Sequence, residues 1–175
     1  GYRFNKGDIF GNLDINSKKK LMCDYIFCFN KKVAKLYERF IKCKTVVIGS
    51  LKNNLTRVSN KNNSNKILLI SSFGLKSENI EKKLISILTI YCKNKNFKLI
   101  VLGRTGKKSE TNFYENINKD KSFQYLRNKG AINHEDISYS YKIIDNSDTI
   151  ISLNATLGYE ALGRGKKTIF FNFNK

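Results

Sequence analysis

Several residue types are rare or missing in this chain, and their scarcity restricts the kinds of site that the chain can form. Among 175 residues there is no proline, no tryptophan and one histidine, and 14 acidic residues stand against 33 Lys and Arg. Zinc and calcium sites need clusters of His, Cys, Asp or Glu at suitable spacing, and the sequence offers no such cluster. We therefore expect a protein that binds no metal.

The chain also lacks paired cysteines and long apolar runs. Its four cysteines form no Cys-x-x-Cys pair: Cys23, Cys28, Cys43 and Cys92. Three of them lie within or beside apolar runs, which is typical of buried, reduced thiols in a reducing compartment. The longest apolar stretch, residues 84–92, is far shorter than the roughly 20 residues that cross a bilayer. We expect a cytoplasmic protein, and peripheral contact with anionic lipid at the inner face of the membrane stays open.

The net charge of +19 points toward a polyanion partner, but the residue types weaken that interpretation. Of the basic residues 27 are Lys and 6 are Arg, whereas bidentate recognition of phosphates and bases favours Arg. The lysines are interspersed with 22 asparagines, which indicates a general bias toward Lys and Asn on solvated faces. We favour this solvated background over a nucleic-acid site, and a polyanion-binding surface stays as the alternative.

The first part of the chain predicts one strand-helix-strand unit. Residues 24–30 form a short, β-prone and almost wholly apolar run, which predicts a strand buried on both faces. After Asn30, a good N-cap, apolar residues recur at helical spacing over residues 33–41. Residues 44–49 then predict a second strand.

A polar, asparagine-rich segment follows this unit. Residues 51–66 are too polar to be buried and have no sustained period, so we interpret them as an interdomain linker. We predict the end of an N-terminal α/β domain with its linker over residues 1–60, and a second domain over residues 61–175. Because the chain starts at Gly1 without an initiator methionine, we expect a piece of a longer protein whose second domain is truncated as well.

The second part alternates strands with helices, which predicts a parallel sheet covered on both faces. The predicted strands are 66–73, 97–103, 149–153 and 168–173, and the predicted helices lie within 77–91, 109–129, 139–146 and 157–164. In the first of these helices Ser77 is the expected cap and Glu81 an expected partner of the helix dipole. Its predicted core face carries Ile80, Leu84, Ile87, Leu88 and Tyr91. The fold class is therefore α/β, with a Rossmann-like sheet.

Three loops follow predicted strands at the edge where open parallel sheets bind ligands. They are Ser71-Ser-Phe-Gly74, Gly103-Arg-Thr-Gly106 and Asn154-Ala-Thr-Leu-Gly158. In the second loop, Arg104 directly follows a strand and could pair with phosphate oxygens, or it could be an ordinary exposed loop residue.

The third loop has the most specific pattern. Asn154 or Thr156 could cap the following helix, and Gly158 lacks a Cβ that would block a ligand near its first turn. Glu160 lies in the first or second turn, where a carboxylate can accept hydrogen bonds from sugar hydroxyls. A purely structural interpretation is equally consistent with the spacing: a cap, a favourable helix-terminal charge and glycines that permit close packing.

Residues 147–171 contain Ser-Asp, an apolar strand, a small-residue turn, Gly-Tyr-Glu-Ala and Gly-Arg-Gly-Lys-Lys before a last apolar strand. This pattern resembles the C-terminal domain of GT-B-type glycosyltransferases, most of all the proteins of surface-carbohydrate and O-antigen biosynthesis. The similarity is concentrated in residues 139–172 and includes Leu102-Gly-Arg104 more diffusely. Ala155 departs from the pattern, since the relatives more often carry Ser beside the Thr.

The resemblance implies an enzyme that transfers a sugar, or a related phosphoalcohol unit, from a nucleotide donor onto a cell-surface glycan. Gly158 and the turn before it would face the donor diphosphate, and Glu160 would hold a ribose or sugar hydroxyl. Gly74 and Arg104 complete the expected binding residues. The partners would be a nucleotide-sugar, as substrate and without any cofactor, and a glycan or lipid-linked acceptor.

No catalytic residue is assigned, because in this architecture the catalytic base usually belongs to the N-terminal domain. His134, the single histidine, is the one weak candidate, and a solvated surface residue is the plainer interpretation. Two other functions stay open. One is a nucleotide-sugar epimerase of the same architecture, and the other is a lysine-rich module that binds nucleic acid or anionic membranes.

Overall fold

A computed structural model describes residues 21–59, 64–75, 77–129, 138–153 and 155–171. The chain divides into two compact units, Gly1–Leu55 and Thr56–Lys175. The domain boundary near residue 60 stays a prediction.

The first unit contains a parallel strand pair. Strand β1 (Met22–Cys28) leads through helix α1 (Lys31–Tyr37) to strand β2 (Lys42–Val47), as the periodicity predicts. Asn30 caps α1, because its side-chain oxygen accepts a 2.9 Å hydrogen bond from the Val33 amide. A one-turn helix, α2 (Leu51–Asn54), occupies the start of the segment that we interpreted as a linker.

The prediction that β1 is buried on both faces is wrong for the unit as described. Tyr25 and Phe27 are 57% and 65% exposed, while Cys28 is buried with Ala34 and Tyr37 of α1. Within residues 21–55, one short helix, α1, packs on the pair and covers one face, which leaves Tyr25 and Phe27 of β1 exposed.

The second unit is built on an all-parallel sheet. Its elements, in chain order, are β3 (Lys66–Ile70), α3 (Glu78–Lys95), β4 (Lys98–Leu102), α4 (Lys108–Ile117), β5 (Gln124–Leu126), α5 (Ser138–Asp145), β6 (Thr149–Ser152), α6 (Thr156–Gly163) and β7 (Lys167–Phe170). Among the described residues the sheet has five strands in the order β5-β4-β3-β6-β7. The predicted α/β fold with a Rossmann-like sheet is confirmed.

The strand order contains a reversal. The chain runs outward from β3 to β4 and β5, and then crosses to the other side of β3 to form β6 and β7. In sheets of this kind, the crevice beyond the carboxyl ends of the two strands at the reversal is the usual ligand-binding place. Here that place lies at the ends of β3 and β6.

Two apolar layers cover the sheet. One layer joins Leu84 and Leu88 of α3 to Tyr114 of α4, and the other joins Ile144 of α5 to Ala161 of α6. Both layers include buried residues of β3 and β4, which explains why these strands are nearly continuous apolar runs. Among the residues described, no helix is both long and apolar enough to cross a membrane.

Two predictions for this unit are wrong, one about the buried face of α3 and one about the segment after α4. Ile87 and Tyr91 are 64% and 48% exposed, because α3 turns Ile85, Cys92 and Glu81 to the core instead. The region predicted as one or two irregular helices also contains the edge strand β5. Tyr125 of this strand stacks on Tyr114 with ring centroids 4.7 Å apart, a long-range contact that local periodicity does not reveal.

A buried ion pair ties the start of the second unit to its helices. The Arg164 guanidinium donates to both carboxylate oxygens of Asp145, at 2.8 and 2.5 Å, and both side chains are almost fully buried. The same guanidinium donates to Thr56 and to the carbonyl of Arg57, and Asp145 accepts from the Ser59 amide at 3.0 Å. Part of the predicted linker is therefore held by specific hydrogen bonds.

Asp148 fixes the next part of the same segment. Its carboxylate accepts from the amides of Ser64 and Lys66, at 3.2 and 3.1 Å, where β3 begins. Burial raises the pKa of both Asp145 and Asp148, but other contacts outweigh burial and hold each pKa below its usual value. For Asp145 these contacts are hydrogen bonds and the Arg164 charge, and for Asp148 they are hydrogen bonds with Ser64 and Lys66. Their ionised forms stabilise the fold above the unfolded pKa near 3.8, and this stabilisation is lost as the pH falls.

Replacing Arg164 should strongly destabilise the second unit. Arg164→Ala leaves the buried Asp145 carboxylate without its partner, so we expect a loss of about 3–5 kcal/mol in the free energy of unfolding. Arg57→Ala is the matched control, because that side chain is exposed and should change stability by no more than about 0.5 kcal/mol. Denaturant titration of both variants measures the difference, and equal losses would contradict the structural role of the pair.

Candidate functional site

The candidate site is the carboxyl edge of the sheet, where the loops after β3, β4 and β6 emerge. Ile70, the last residue of β3, pairs in register with Ser152, the last residue of β6. Ile70 also pairs with Leu102, the last residue of β4. Because the strands are parallel and in register, the three predicted ligand loops begin side by side.

The loop after β3 turns sharply at Gly74. This residue has φ +80°, a left-handed conformation that favours glycine, and its amide donates to the Glu78 carboxylate at 3.0 Å. Ser72 lies earlier in the loop and is 1% exposed. Its hydroxyl has no hydrogen-bond partner among the described residues, which is unusual for a buried polar atom.

The loop after β4 is already folded around an anion, namely the buried carboxylate of Glu110 from α4. Glu110 accepts from three consecutive backbone amides, those of Arg104 at 2.6 Å, Thr105 at 2.8 Å and Gly106 at 2.9 Å. The Thr105 hydroxyl donates to the same carboxylate at 2.9 Å. The backbone of this loop thus serves an internal carboxylate instead of a ligand phosphate.

The Arg104 side chain, in contrast, reaches across the edge. Its guanidinium is exposed and donates to the carbonyl of Phe73 at 2.9 Å. A Cβ on Gly74 would lie 3.5 Å from the same guanidinium. The structure therefore brings together two of the predicted binding residues, Gly74 and Arg104, and it gives Arg104 a defined position.

Under these two loops lies a buried polar network that the sequence analysis missed. Glu81 and Glu110 are both 0% exposed, and Ser71 and Tyr114 connect them. Glu81 also accepts from the Ser72 amide, and burial raises its pKa to about 7 in spite of that bond and of the bond from Tyr114. A signal was present, because Glu81 shares one helical face with the apolar residues Leu84, Ile85 and Leu88.

The helix after β6 begins differently from the prediction. Ala155 is the N-cap residue, without a side-chain capping bond, and Thr156 is the first helical residue, so the predicted Thr156 cap is wrong. The Ala155 amide donates instead to the buried Ser152 hydroxyl at 3.2 Å. Asn154, the other candidate cap, lies outside the described residues.

Gly158 faces the sheet. A Cβ at this position would lie 2.6 Å from the Ser152 Cβ and 3.0 Å from a ring carbon of Phe170. The missing side chain therefore permits α6 to approach β6 and β7, as the structural interpretation of this glycine requires. Its amide donates to the Ala155 carbonyl at 3.0 Å, within the first turn.

Glu160 lies in the second turn of α6, where it meets α5. Its carboxylate accepts a 2.9 Å hydrogen bond from the hydroxyl of Tyr141, a buried residue of α5. The Arg164 guanidinium lies 4.9 Å from the centre of the Tyr141 ring. The carboxylate is thus half-buried and oriented by a neighbouring helix.

The remaining predictions concern His134, metals and pockets. His134 lies outside the described residues. In the described part of the chain no three His, Cys, Asp or Glu side chains are grouped as a metal site would require. A mainly apolar cavity of about 310 Å³ is lined by residues of β4, β5 and α5, including Ile100, Leu126 and Ile143. Its lining includes none of the predicted binding residues.

The fold and this edge define a Rossmann-like α/β protein with its crevice at the ends of β3 and β6. The sequence matches the family described as "putative O-antigen biosynthesis protein" over residues 1–83 and 79–175, and the chain belongs to that family. No curated protein matches it. The association with O-antigen biosynthesis is therefore confirmed at the level of the family, and the GT-B assignment stays a prediction.

A side chain at Gly158 should disturb packing. Gly158→Ala places a methyl group against Ser152, so we expect a loss of about 1–3 kcal/mol in the free energy of unfolding. Gly163→Ala is the control, because this exposed position in the same helix should tolerate alanine or gain stability.

Adding Ser152→Gly to Gly158→Ala should recover part of the loss, since it removes the atoms that clash. A double-mutant cycle measured by denaturant titration gives the coupling. Additive effects would show that the two positions are not in contact.

Proposed function

We propose that the chain is part of a glycosyltransferase that binds a nucleotide-sugar donor at the carboxyl edge of its second unit and acts in O-antigen biosynthesis. The observation that carries this proposal is the reversal of strand order between β3 and β6, in a family already associated with O-antigen biosynthesis. The donor is a substrate, and no separate cofactor is proposed.

Three groups at this edge suit a diphosphate. The guanidinium of Arg104 supplies a positive charge and parallel N–H donors. The start of α6, near Thr156, contributes backbone amides and the positive end of a helix dipole. The buried hydroxyl of Ser72 is available as a further hydrogen-bonding group. Gly74 lets the loop backbone turn beside them without a side chain.

In this proposal the sugar leaves the donor as negative charge develops on the departing diphosphate. Fixed positive groups stabilise such charge best when they are held in place before the reaction. Arg104 meets this requirement, because its guanidinium bonds to Phe73 and its amide to Glu110. The catalytic base, and any role of His134, stays open.

Glu160 is proposed to hold a ribose or sugar hydroxyl. The bond from Tyr141 orients its carboxylate, as a recognition residue requires. The acceptor would be a glycan or a lipid-linked glycan on the cytoplasmic side. The free state of all four cysteines supports a reducing compartment, and the exposed Tyr25 and Phe27 beside lysines support peripheral contact with an anionic membrane.

Neutralising Glu160 should weaken donor binding. A hydrogen bond to a charged group contributes about 1.5–3 kcal/mol, so Glu160→Gln should lower donor affinity by roughly 10- to 100-fold. Tyr141→Phe is the matched control, because it removes the same intramolecular bond and leaves the carboxylate in place. Calorimetric titration with a panel of nucleotide-sugars, together with melting temperatures, measures both variants.

Equal affinities in Glu160→Gln and the unmodified chain would reduce Glu160 to an interhelix contact and remove it from the site. Incubation of the full-length protein with donor, with and without acceptor, tests the reaction class. Product that requires acceptor supports transfer, whereas an isomerised donor formed without acceptor would indicate an epimerase.

A further inference from the structure

The buried network below the carboxyl edge is a continuous chain of oxygen atoms. The Tyr114 hydroxyl lies 2.7 Å from Glu81 and 2.6 Å from the Ser71 hydroxyl. The Ser71 hydroxyl lies 3.0 Å from Glu110. All four side chains are 0% exposed, so they meet one another in place of bulk solvent. Three contacts of hydrogen-bonding length thus join four groups.

Each of the three contacts needs one proton, and the two hydroxyls supply two. Burial raises the pKa of Tyr114, so its hydroxyl keeps its proton. If both carboxyl groups were ionised, one of the three oxygen–oxygen contacts would have no hydrogen between its two oxygen atoms. At 2.6–3.0 Å that arrangement is repulsive. The missing proton must belong to one of the carboxyl groups.

Glu110 is the less favourable place for that proton. One of its oxygens accepts from the Arg104 amide, and the other accepts from the amides of Thr105 and Gly106. The Thr105 hydroxyl donates to Glu110 as well, so three amides and a hydroxyl favour its ionised form, whereas Glu81 receives a single amide shared between its two oxygens. Glu110 therefore fits the network as an ionised carboxylate that receives every neighbouring hydrogen.

Glu81 has room for it. The Ser72 amide, at 3.2 and 3.3 Å, is shared between its two oxygens, and the oxygen near Tyr114 meets a hydroxyl that can accept as well as donate. With a proton on Glu81, every contact is satisfied in one direction, from Glu81 to Tyr114, to Ser71 and to Glu110.

We propose that Glu81 holds a buried proton, and that protonated Glu81 and ionised Glu110 are positioning residues that set the loops after β3 and β4. Glu81 holds the first loop at Ser72, and Glu110 holds the second at three amides. This inference stands whether or not the edge binds a nucleotide-sugar.

The electrostatic surroundings agree with a proton on Glu81. Its pKa is raised from 4.5 to about 7, chiefly by burial and in part by the nearby Glu110 charge, against the hydrogen bonds from Tyr114, Ser72 and Ser71. Among the described residues, the titratable groups beside Glu81 and its network partners are Glu110 and Tyr114 on α4 and Tyr125 on β5, and Glu115 and Arg127 act on Tyr125. Arg127 donates to the Gly106 carbonyl, so its charge is directed to the loop backbone.

The sign of the pH effect follows from this shift. Between pH 4.5 and about 7 the folded chain keeps the Glu81 proton while the unfolded chain has lost it. The stability that this proton provides is complete below the unfolded pKa and is lost as the pH rises through the folded pKa. Asp145 and Asp148 have the opposite effect on the free energy of unfolding, because their stabilisation is lost as the pH falls below about 3.8.

Two isosteric substitutions of the full 175-residue chain test the proposal. Glu81→Gln mimics the protonated acid, because its amide can donate to Tyr114 while its oxygen accepts from Ser72. Glu110→Gln must instead turn an NH₂ group toward backbone amides. Denaturant titrations from about pH 4.5 to about pH 8 compare the variants with the unmodified chain. Amide hydrogen exchange at Ser72 and at Arg104 to Gly106 measures whether the backbone hydrogen bonds of the two loops are kept.

We expect Glu81→Gln to fold, to protect both loops and to remove the decline in stability with rising pH. Glu110→Gln should lose protection at Arg104 to Gly106 at every pH, or fail to fold. Parallel pH profiles of Glu81→Gln and the unmodified chain would overturn the proposal, and so would a Glu81→Gln variant that does not fold. Infrared spectra of the unmodified chain add a direct readout, since absence of a protonated-carboxyl band near neutral pH contradicts it.

Discussion

The interaction on which the carboxyl edge depends is the capture of three consecutive backbone amides by the buried carboxylate of Glu110. It folds the loop after β4 inward. The backbone amides that could bind a ligand anion are therefore already bonded to Glu110. The Arg104 side chain is directed outward to Phe73 by the same fold. Ligand recognition at this edge is therefore left to side chains and to the loops after β3 and β6.

Four carboxylates, three of them buried, organise both edges of the sheet in the second unit. Glu81 and Glu110 hold loops at the carboxyl ends of the strands, and Asp145 and Asp148 hold the polar segment that leads into β3. An asparagine-rich segment cannot be fixed by apolar burial, so directed hydrogen bonds to ionised groups take that role. The second unit thus has an ordinary apolar core, and hydrogen bonds to carboxylates fix the segments at both ends of its strands.

Periodicity predicted the parts that depend on local sequence and missed those that depend on distant partners. The buried strands β3, β4 and β6 and the fold class were predictable because apolar runs alternate with helical patterns. Glu81 was assigned to a helix dipole because its partner Tyr114 lies 33 residues away. Parallel strands end at a common edge, so the sequence predicted that the loops with Gly74 and Arg104 lie near each other. The orientation of Gly158 toward the sheet could not be predicted, because it depends on how α6 packs on β6 and β7.

Amide hydrogen exchange of the full-length protein, with and without a panel of nucleoside diphosphates, tests the central claim most directly. If the crevice at the ends of β3 and β6 binds the donor diphosphate, protection should rise at Thr156 and Leu157, at the start of α6. The amides of Ser72 to Gly74 should change little, because they already donate to Glu81, Ser71 and Glu78. The amides of Arg104 to Gly106 should not change, since Glu110 already holds them. Protection confined to the opposite edge, near Lys66, or spread over the lysine-rich surface would contradict the account.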